Sequence, residues 1–505
     1  MKNKKLLLLL LTFMLPITSC NSQNLKTNDV VFEKQNIVID SFNGLGVEWG
    51  VYEDTNKIAK EQWDRIYSAV KRLNPKLVRC MTNFDWIVKN FDSKGNDDIN
   101  DDTWEYDFTN KYMINCCEIL DFCQENDINV AFGVWNVIGN VDETKDEWKM
   151  IKNTSADIRW AKLSADLLEY LVKIKGYTCI KYFVNTNEPN YTGAIGASKN
   201  AYNTYDTWRQ GVLNVRKTFD EIGLNDIDII GGDTTGFNGC MDYLPKIASN
   251  LNDVVNNYGI HMYISNYDID NGNYMNNLKS LFTEIKKIDN KLGASKDMII
   301  WEAGLLDGKN VQTDCNAYIA NYSYGIRMAD YTIQSILAGI NGVVYWDLDD
   351  GMHFMYNEAK ATPKEWGMFS SLNDSSSLKQ EYRPWYHSST LLTNLLAKDC
   401  KIYKATTAYD DTTFRCIASI DKDNKNAGFV AINRKSEEVT KSFILKEAIN
   451  NSLNKMYVYI FNESSLRLDS DGFVVENYII DGSLNNITNI TIPANSVVVV
   501  STRRL

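Results

Sequence analysis

The 505-residue chain has only three histidines, His261, His353 and His387, and no His-Glu-x-x-His pair. That argues against a zinc hydrolase of this kind. A basic excess is also lacking: 53 Lys and Arg stand against 65 Asp and Glu, a formal charge of −12. Nucleic acid binding needs dense Lys/Arg contacts to phosphate, so no nucleic acid partner is expected and a neutral substrate fits better. The ten cysteines show neither a disulfide framework nor a metal-site spacing. Cys116, Cys117 and Cys123 share a helical face with Met113 and Leu120, where cysteine behaves as a small hydrophobe. Beyond the first twenty residues no run approaches the roughly 20 apolar residues that span a bilayer.

What is present begins with an address. Lys2, Lys4 and Lys5 precede a short apolar run, Leu6 to Leu15, and the run ends at Ile17-Thr18-Ser19-Cys20. This resembles a bacterial lipobox. The resemblance implies a signal peptide over 1–19, acylation of Cys20, and anchoring to the outer membrane, on its periplasmic or cell-surface face, through the N-terminal lipid alone. The competing reading is an ordinary secretory signal with a chance cysteine.

From 44 to 376 short apolar runs alternate with helical patterns. The strand candidates are Gly44–Trp49, Leu77–Met81, Ile128–Trp135, Ile180–Asn187, Ile227–Gly232, Gly259–Ile264, Met298–Trp301 and Gly342–Trp346. Several are apolar throughout, as strands buried on both faces are. Trp63, Ile66, Tyr67, Val70 and Leu73 form one helical stripe between them. Eight such units predict an α/β fold of the TIM (β/α)8 type. A doubly wound sheet is the alternative, but Gly44-Leu45-Gly46 runs on into Val47-Glu48-Trp49 without a Gly-x-Gly-x-x-Gly. From 377 to 505, after the polar stretch from Ser371 to Ser377, a lead-in helical pattern is followed by short alternating runs alone: Ile402–Ala408, Thr413–Ile420, Gly428–Asn433, Ser442–Leu445, Met456–Phe461 and Ser496–Ser501. This spacing predicts a C-terminal β-sandwich. A strand over Asn36–Asp40, within the leading segment 20–43, would complete it.

Chemistry in a TIM barrel sits at the C-terminal strand ends. The fourth strand runs into Asn187-Glu188-Pro189, with proline stopping the strand just past a carboxylic acid, and the seventh ends at Trp301-Glu302. Arg79 ends the second strand, and His261-Met262-Tyr263 ends the sixth. Trp346, Trp135 and Trp49 close strands eight, three and one and are candidates to stack on sugar rings. Glu48, Asn136 and Asp233 are further strand-end groups able to bond hydroxyls.

This pattern resembles the clan of retaining barrel glycoside hydrolases whose acid/base follows strand four as Asn-Glu and whose nucleophile ends strand seven. The sandwich and the Gly44-Leu45-Gly46 opening resemble families 30 and 39 within it. The resemblance implies Glu302 as nucleophile, Glu188 as acid/base, Asn187 on the sugar 2-hydroxyl, Tyr263 donating to the nucleophile and Trp346 beneath the −1 sugar. The two carboxyls of such enzymes stand about 5–5.5 Å apart, one attacking the anomeric carbon and the other protonating the leaving oxygen. Arg79, permanently charged, is suited to keep Glu302 oriented. The expected activity is retaining hydrolysis of a β-linked glycoside or an oligo- or polysaccharide, with no cofactor and no metal. The rivals are a non-catalytic glycan-binding surface lipoprotein and a transglycosylase using the same intermediate.

Overall fold

The computed structural model describes residues 29–53, 60–89, 104–135, 158–190, 204–357, 360–372, 381–406, 412–446, 455–484 and 488–505, with the pairs 141–142, 147–148 and 155–156. The signal peptide, Cys20, Asn136 and most of the polar stretch after Ser371 lie outside the described residues.

Alternation of apolar runs with amphipathic helices closes into a barrel of eight parallel strands. These are β1 (Leu45–Glu48), β2 (Leu77–Thr82), β3 (Asn129–Val134), β4 (Ile180–Val184), β5 (Asp228–Thr235), β6 (Val255–Ile264), β7 (Asp297–Leu305) and β8 (Val343–Tyr345). The main helices following them are α1 (Lys60–Leu73), α2 (Lys111–Glu125), α3 (Ile158–Leu168), α4 (Tyr205–Glu221), α5 (Phe237–Asn250), α6 (Asn273–Leu292), α7 (Tyr322–Leu337) and α8 (Pro384–Leu395). Local chemistry fixes their starts. Asn110 accepts from the backbone N–H groups of Tyr112 and Met113 to cap α2, Thr204 caps α4, and Pro384 opens α8.

Strand side chains alternate between two apolar layers. Leu77, Met81, Ala131, Val184, Ile230, Ile299, Trp301 and Val344 fill the barrel interior. Val47, Val78, Val130, Phe183 and Ile300 face the helices, against residues such as Ile66, Leu120 and Leu167. Two register shifts break this alternation at the strand ends that carry Glu302 and Asp233. One falls between Ile300 and Glu302 of β7, against Ile260 and His261 of β6; the other falls between Gly232 and Thr234 of β5. Each inserts an extra residue, Trp301 or Asp233, so that consecutive side chains no longer alternate strictly.

The remaining sheet has nine strands. After the barrel come β9 (Lys401–Ala405), β10 (Phe414–Ile420), β11 (Ala427–Asn433), β12 (Val439–Leu445), β13 (Lys455–Phe461), β14 (Tyr478–Asp481), β15 (Thr488–Ile492) and β16 (Ser496–Ser501). The ninth is the opening strand Asp29–Ile39, antiparallel to β9 and parallel to β12. The order is β14-β13-β16-β11-β10-β9-opening strand-β12-β15. Phe429 of β11 and Phe443 of β12 stack at 3.9 Å, although three strands separate them in that order. The sheet therefore folds over on itself as a sandwich, around a core that includes Val30, Phe32, Phe414, Met456, Ile490 and Val498. Its other face joins the barrel's helical layer: Ile417, Val430, Ile432 and Val497 share a core with Leu391 and Leu392 of α8.

The opening strand begins earlier than Asn36, because Asp29 to Phe32 pairs in register with Ser442 to Leu445. The polar Glu33-Lys34-Gln35 between the two halves hides this continuity in the sequence. The strands β14 and β15, absent from the pattern reading, are the two edges of the sheet. β14 reads Tyr478-Ile479-Ile480-Asp481, and its Tyr478 and Ile479 are exposed at the sheet edge.

Candidate active site

Arg79 rises from β2 into the barrel and is fully buried. Its Nη1 donates to Glu302 Oε1 at 2.8 Å and to Glu48 Oε2 at 3.2 Å. Its Nη2 donates to Asn187 Oδ1 at 2.7 Å and to Asp233 Oδ2 at 2.9 Å. Four strand ends are tied to one guanidinium, whose planar fork suits such shared contacts. Because Arg79 can only donate, the Asn187 amide must turn its oxygen inward, which leaves its N–H groups for the cleft.

His261, on β6, is the second hub and is also fully buried. Its Nε2 lies 2.8 Å from Asp233 Oδ1 and its Nδ1 lies 2.9 Å from Glu188 Oε1 and 3.4 Å from Glu302 Oε2. Burial alone lowers its pKa, but the charges of Asp233 and Glu302 outweigh it and push the imidazole up to about 10. Both nitrogens therefore carry protons at neutral pH and donate to the carboxylates. Asp233 moves the other way: burial raises it, and Arg79 and His261 together bring it below the ordinary carboxylate value. Burial pushes Glu48 up to about 8 against the pull of Arg79, so the buried acid beside Arg79 is largely uncharged at neutral pH.

Glu302 receives a third donor, the Tyr263 hydroxyl at 2.8 Å from Oε2. Burial raises its pKa, His261 and Arg79 oppose the rise, and Glu188 adds to it. Glu188 and Asp233 adopt positive φ, 44° and 57°, a conformation costing roughly 1–3 kcal/mol that is seen at functional sites. The two are stitched together, since the Glu188 N–H donates to the Asp233 carbonyl at 3.1 Å. One ligand atom each from Glu188, His261 and Glu302 lies within 4.8 Å of the others.

Above this layer opens a cleft of about 580 Å³ whose walls include Glu53, Asn83, Trp135, Asn187, Glu188, Thr235, Tyr263, Glu302, Trp346, His353 and Trp366. Of the residues read from strand ends, Glu188, Glu302, Asn187, Tyr263, Trp135 and Trp346 line it. Arg79 and His261 support it from beneath rather than facing it. Glu48 and Asp233, candidates for hydroxyl binding, are likewise buried beneath it and bonded to Arg79. Trp49 does not belong to the site. Because Glu48 points inward, the next side chain points outward, and the Trp49 ring packs edge-on to Tyr67 of α1 and Phe122 of α2. Trp346 is only 8% exposed, with one face stacked on His353 at 5.2 Å; Trp135 meets both rings edge-on.

His353, given no role by the sequence pattern, is thus part of the cleft wall, and so are Glu53 and Trp366. None of the three ends a barrel strand, so the strand-end signal could not find them. His387 is buried within α8, where burial lowers it to about 4, away from the cleft.

The closed (β/α)8 barrel with its attached β-sandwich is a fold shared with solved glycoside hydrolases. It is similar to a family 30 subfamily 8 xylanase from Clostridium acetobutylicum, with a TM-score of 0.60 at 13% identity over 94% of this chain and 99% of that one. A family 39 β-xylosidase from Caulobacter crescentus gives a TM-score of 0.59 at 12% identity over 94% and 99%, and an endo-β1,6-glucanase gives 0.61 at 12% over 96% and 95%. The fold is therefore close to that of families 30 and 39. No protein-family model matches the sequence, and no curated protein does.

Proposed function

We propose that this chain is a retaining glycoside hydrolase acting on a β-linked glycoside or polysaccharide, with Glu302 as nucleophile and Glu188 as acid/base. The observation that carries the reading is the proximity of the two carboxylates, with oxygens within 4.8 Å. That proximity supports the retaining arrangement, whose carboxyls stand about 5–5.5 Å apart, over the inverting one at about 6.5–9.5 Å. Arg79, Tyr263 and His261 surround Glu302 with donors, as a group that must attack as an anion and leave as one requires.

In the first step Glu302 bonds to the anomeric carbon as the glycosidic C–O bond breaks, and Glu188 gives its proton to the departing oxygen. In the second, water attacks that carbon, Glu188 takes its proton, and the Glu302 carboxylate is released. Glu188 Oε1 is held by His261, so Oε2 remains for these transfers. The Asn187 N–H groups, freed by the contact with Arg79, supply a donor for the sugar 2-hydroxyl. An activated fluorosugar that slows both steps tests the proposal: intact-mass analysis should find one glycosyl adduct, and peptide mapping should find it on Glu302. An adduct on another residue reassigns the nucleophile, and no adduct with any sugar of a broad panel argues for the glycan-binding alternative.

Export and anchoring through Cys20 complete the proposal, supported by the leader from Lys2 to Cys20. Cys20→Ala should abolish fatty-acid labelling of the expressed protein; unchanged labelling removes the lipoprotein reading.

A further inference from the structure

Glu53 is a cleft acid that the proposed reaction does not use, and its surroundings give it a defined orientation. Its backbone N–H donates to the Met352 carbonyl at 3.1 Å. Its Oε2 accepts from the Phe354 N–H at 2.9 Å, and its Oε1 lies 3.4 Å from His353 Nδ1. The segment after β1 is thereby fastened to the segment after β8. Burial lowers the pKa of His353, so its imidazole is neutral, and the proton belongs on Nδ1, the nitrogen that faces a carboxylate.

A carboxylate can accept about four hydrogen bonds, and these contacts use one acceptor site on each oxygen. The Glu53 side chain remains 20% exposed and lines the same cleft as Trp135 and Trp346. The two lysines of the cleft wall, Lys309 and Lys364, are paired with Asp314 instead. Among the described residues no Lys or Arg forms a salt bridge to Glu53. It is an oriented, solvent-reaching acceptor without a cation, beside an aromatic wall.

We propose that Glu53 determines sugar specificity: its carboxylate accepts hydrogen bonds from free hydroxyls of the glycone, the sugar packed against Trp135 and Trp346, so that this subsite takes a neutral sugar and rejects a uronate. The inference rests on the glycosidase reading of the cleft. Hydroxyls donate to a carboxylate with more strength than to a neutral acceptor. A uronate carboxylate at the same point would meet a like charge that no described Lys or Arg pairs with, since Lys309 and Lys364 of the cleft are engaged by Asp314.

The test compares wild type, Glu53→Gln and His353→Phe on an aryl glycoside panel: the best neutral substrate, each of its monodeoxy analogues, and the matching aryl uronide. Wild type should lose about 10- to 100-fold in kcat/KM when a contacted hydroxyl is removed, the usual worth of a hydrogen bond to a charged group. In Glu53→Gln that discrimination should shrink at the contacted hydroxyls only, and the bias against the uronide should fall. His353→Phe keeps a ring on Trp346 but releases Glu53 from the imidazole, and should retain hydroxyl discrimination. Equal losses on the parent and every deoxy analogue in Glu53→Gln would overturn the proposal, as would wild-type turnover of the uronide matching the neutral parent. If wild type cleaves no glycoside, the glycosidase reading fails by itself. Glu53 is then judged by calorimetry of neutral oligosaccharides: binding weakened at least tenfold in Glu53→Gln supports it, and equal binding overturns it.

Discussion

Arg79 donates to Glu302 at 2.8 Å with both side chains almost wholly withdrawn from water, 0% and 6% exposed. The same guanidinium serves Asp233 and Glu48, so a single cation from β2 organises acids from β1, β5 and β7. Buried ion pairs gain their strength from mutual compensation, and removing one partner strands the others.

Arg79→Met should therefore do two things at once. It should destabilise the fold by about 3–5 kcal/mol, the usual cost of breaking a buried pair, read as a lower denaturant midpoint. It should also remove most turnover, because Glu302 loses a donor and Asn187 loses the contact that orients its amide. Arg79→Lys restores charge but cannot reach four acceptors from one planar fork. It should recover more stability than activity. A lysine variant with full turnover would show that the fork geometry is dispensable.

The charge on His261 gives stability a pH signature. Burial opposes that charge, while Asp233 and Glu302 raise the folded pKa from 6.5 to about 10. A folded value above the unfolded one stabilises fully below the unfolded pKa, and that stabilisation disappears as pH rises through the folded pKa. The stability gap between wild type and His261→Phe should thus be widest below about pH 6.5, on the order of a few kcal/mol, and should narrow as pH rises from there towards 10. Thermal melts across that window measure it. A gap constant with pH would mean that the imidazole is neutral in the folded protein.

Another buried acid binds the two layers of the molecule together. Asp330 of α7 accepts from Arg415 Nη1 at 2.9 and 2.7 Å and pairs with Arg434 Nε at 2.8 Å; Arg415 lies on β10 and Arg434 just after β11. Asp330→Ala would leave two guanidinium groups at the barrel–sandwich boundary without that carboxylate. We expect about 3–5 kcal/mol of destabilisation and easier proteolysis between the two layers. Asp330→Asn keeps acceptor oxygen without charge and should be milder. Unchanged melting of Asp330→Ala would mean that water takes over its role.

The barrel was legible because both faces of its strands are buried. The eight strand candidates, from Gly44–Trp49 to Gly342–Trp346, all fall on barrel strands and stood out against helical stripes such as Ile66, Val70 and Leu73. The candidate site was legible because barrel chemistry gathers at strand ends, where Glu188, Glu302, Arg79, His261 and Tyr263 meet. The direction of each side chain was harder to read. Trp49 adjoins an inward Glu48 and so points outward, a parity that one residue decides. The shift at Trp301 lets Glu302 enter the site by breaking the same parity. Glu53 and His353 reach the cleft from segments past β1 and β8, and no periodicity marks such positions.

The proposed division of roles between Glu302 and Glu188 makes the most exposed prediction. Glu302→Ala should remove nearly all turnover, since no other group is positioned by Arg79 and Tyr263 to attack the anomeric carbon. Azide, occupying the vacated space, should restore activity and give a product of inverted configuration. Glu188→Ala should behave differently. Substrates with poor leaving groups should slow most, while activated aryl glycosides, which need little protonation, should still form the glycosyl-enzyme. That ester should then accumulate, because the base for water is gone, and azide should rescue with retained configuration. NMR of the first-formed anomer from wild type reads the stereochemistry, and mass spectrometry of the accumulated ester locates the nucleophile. An inverted wild-type product, or a sugar attached to Glu188, would reverse the assignment of these two carboxylates.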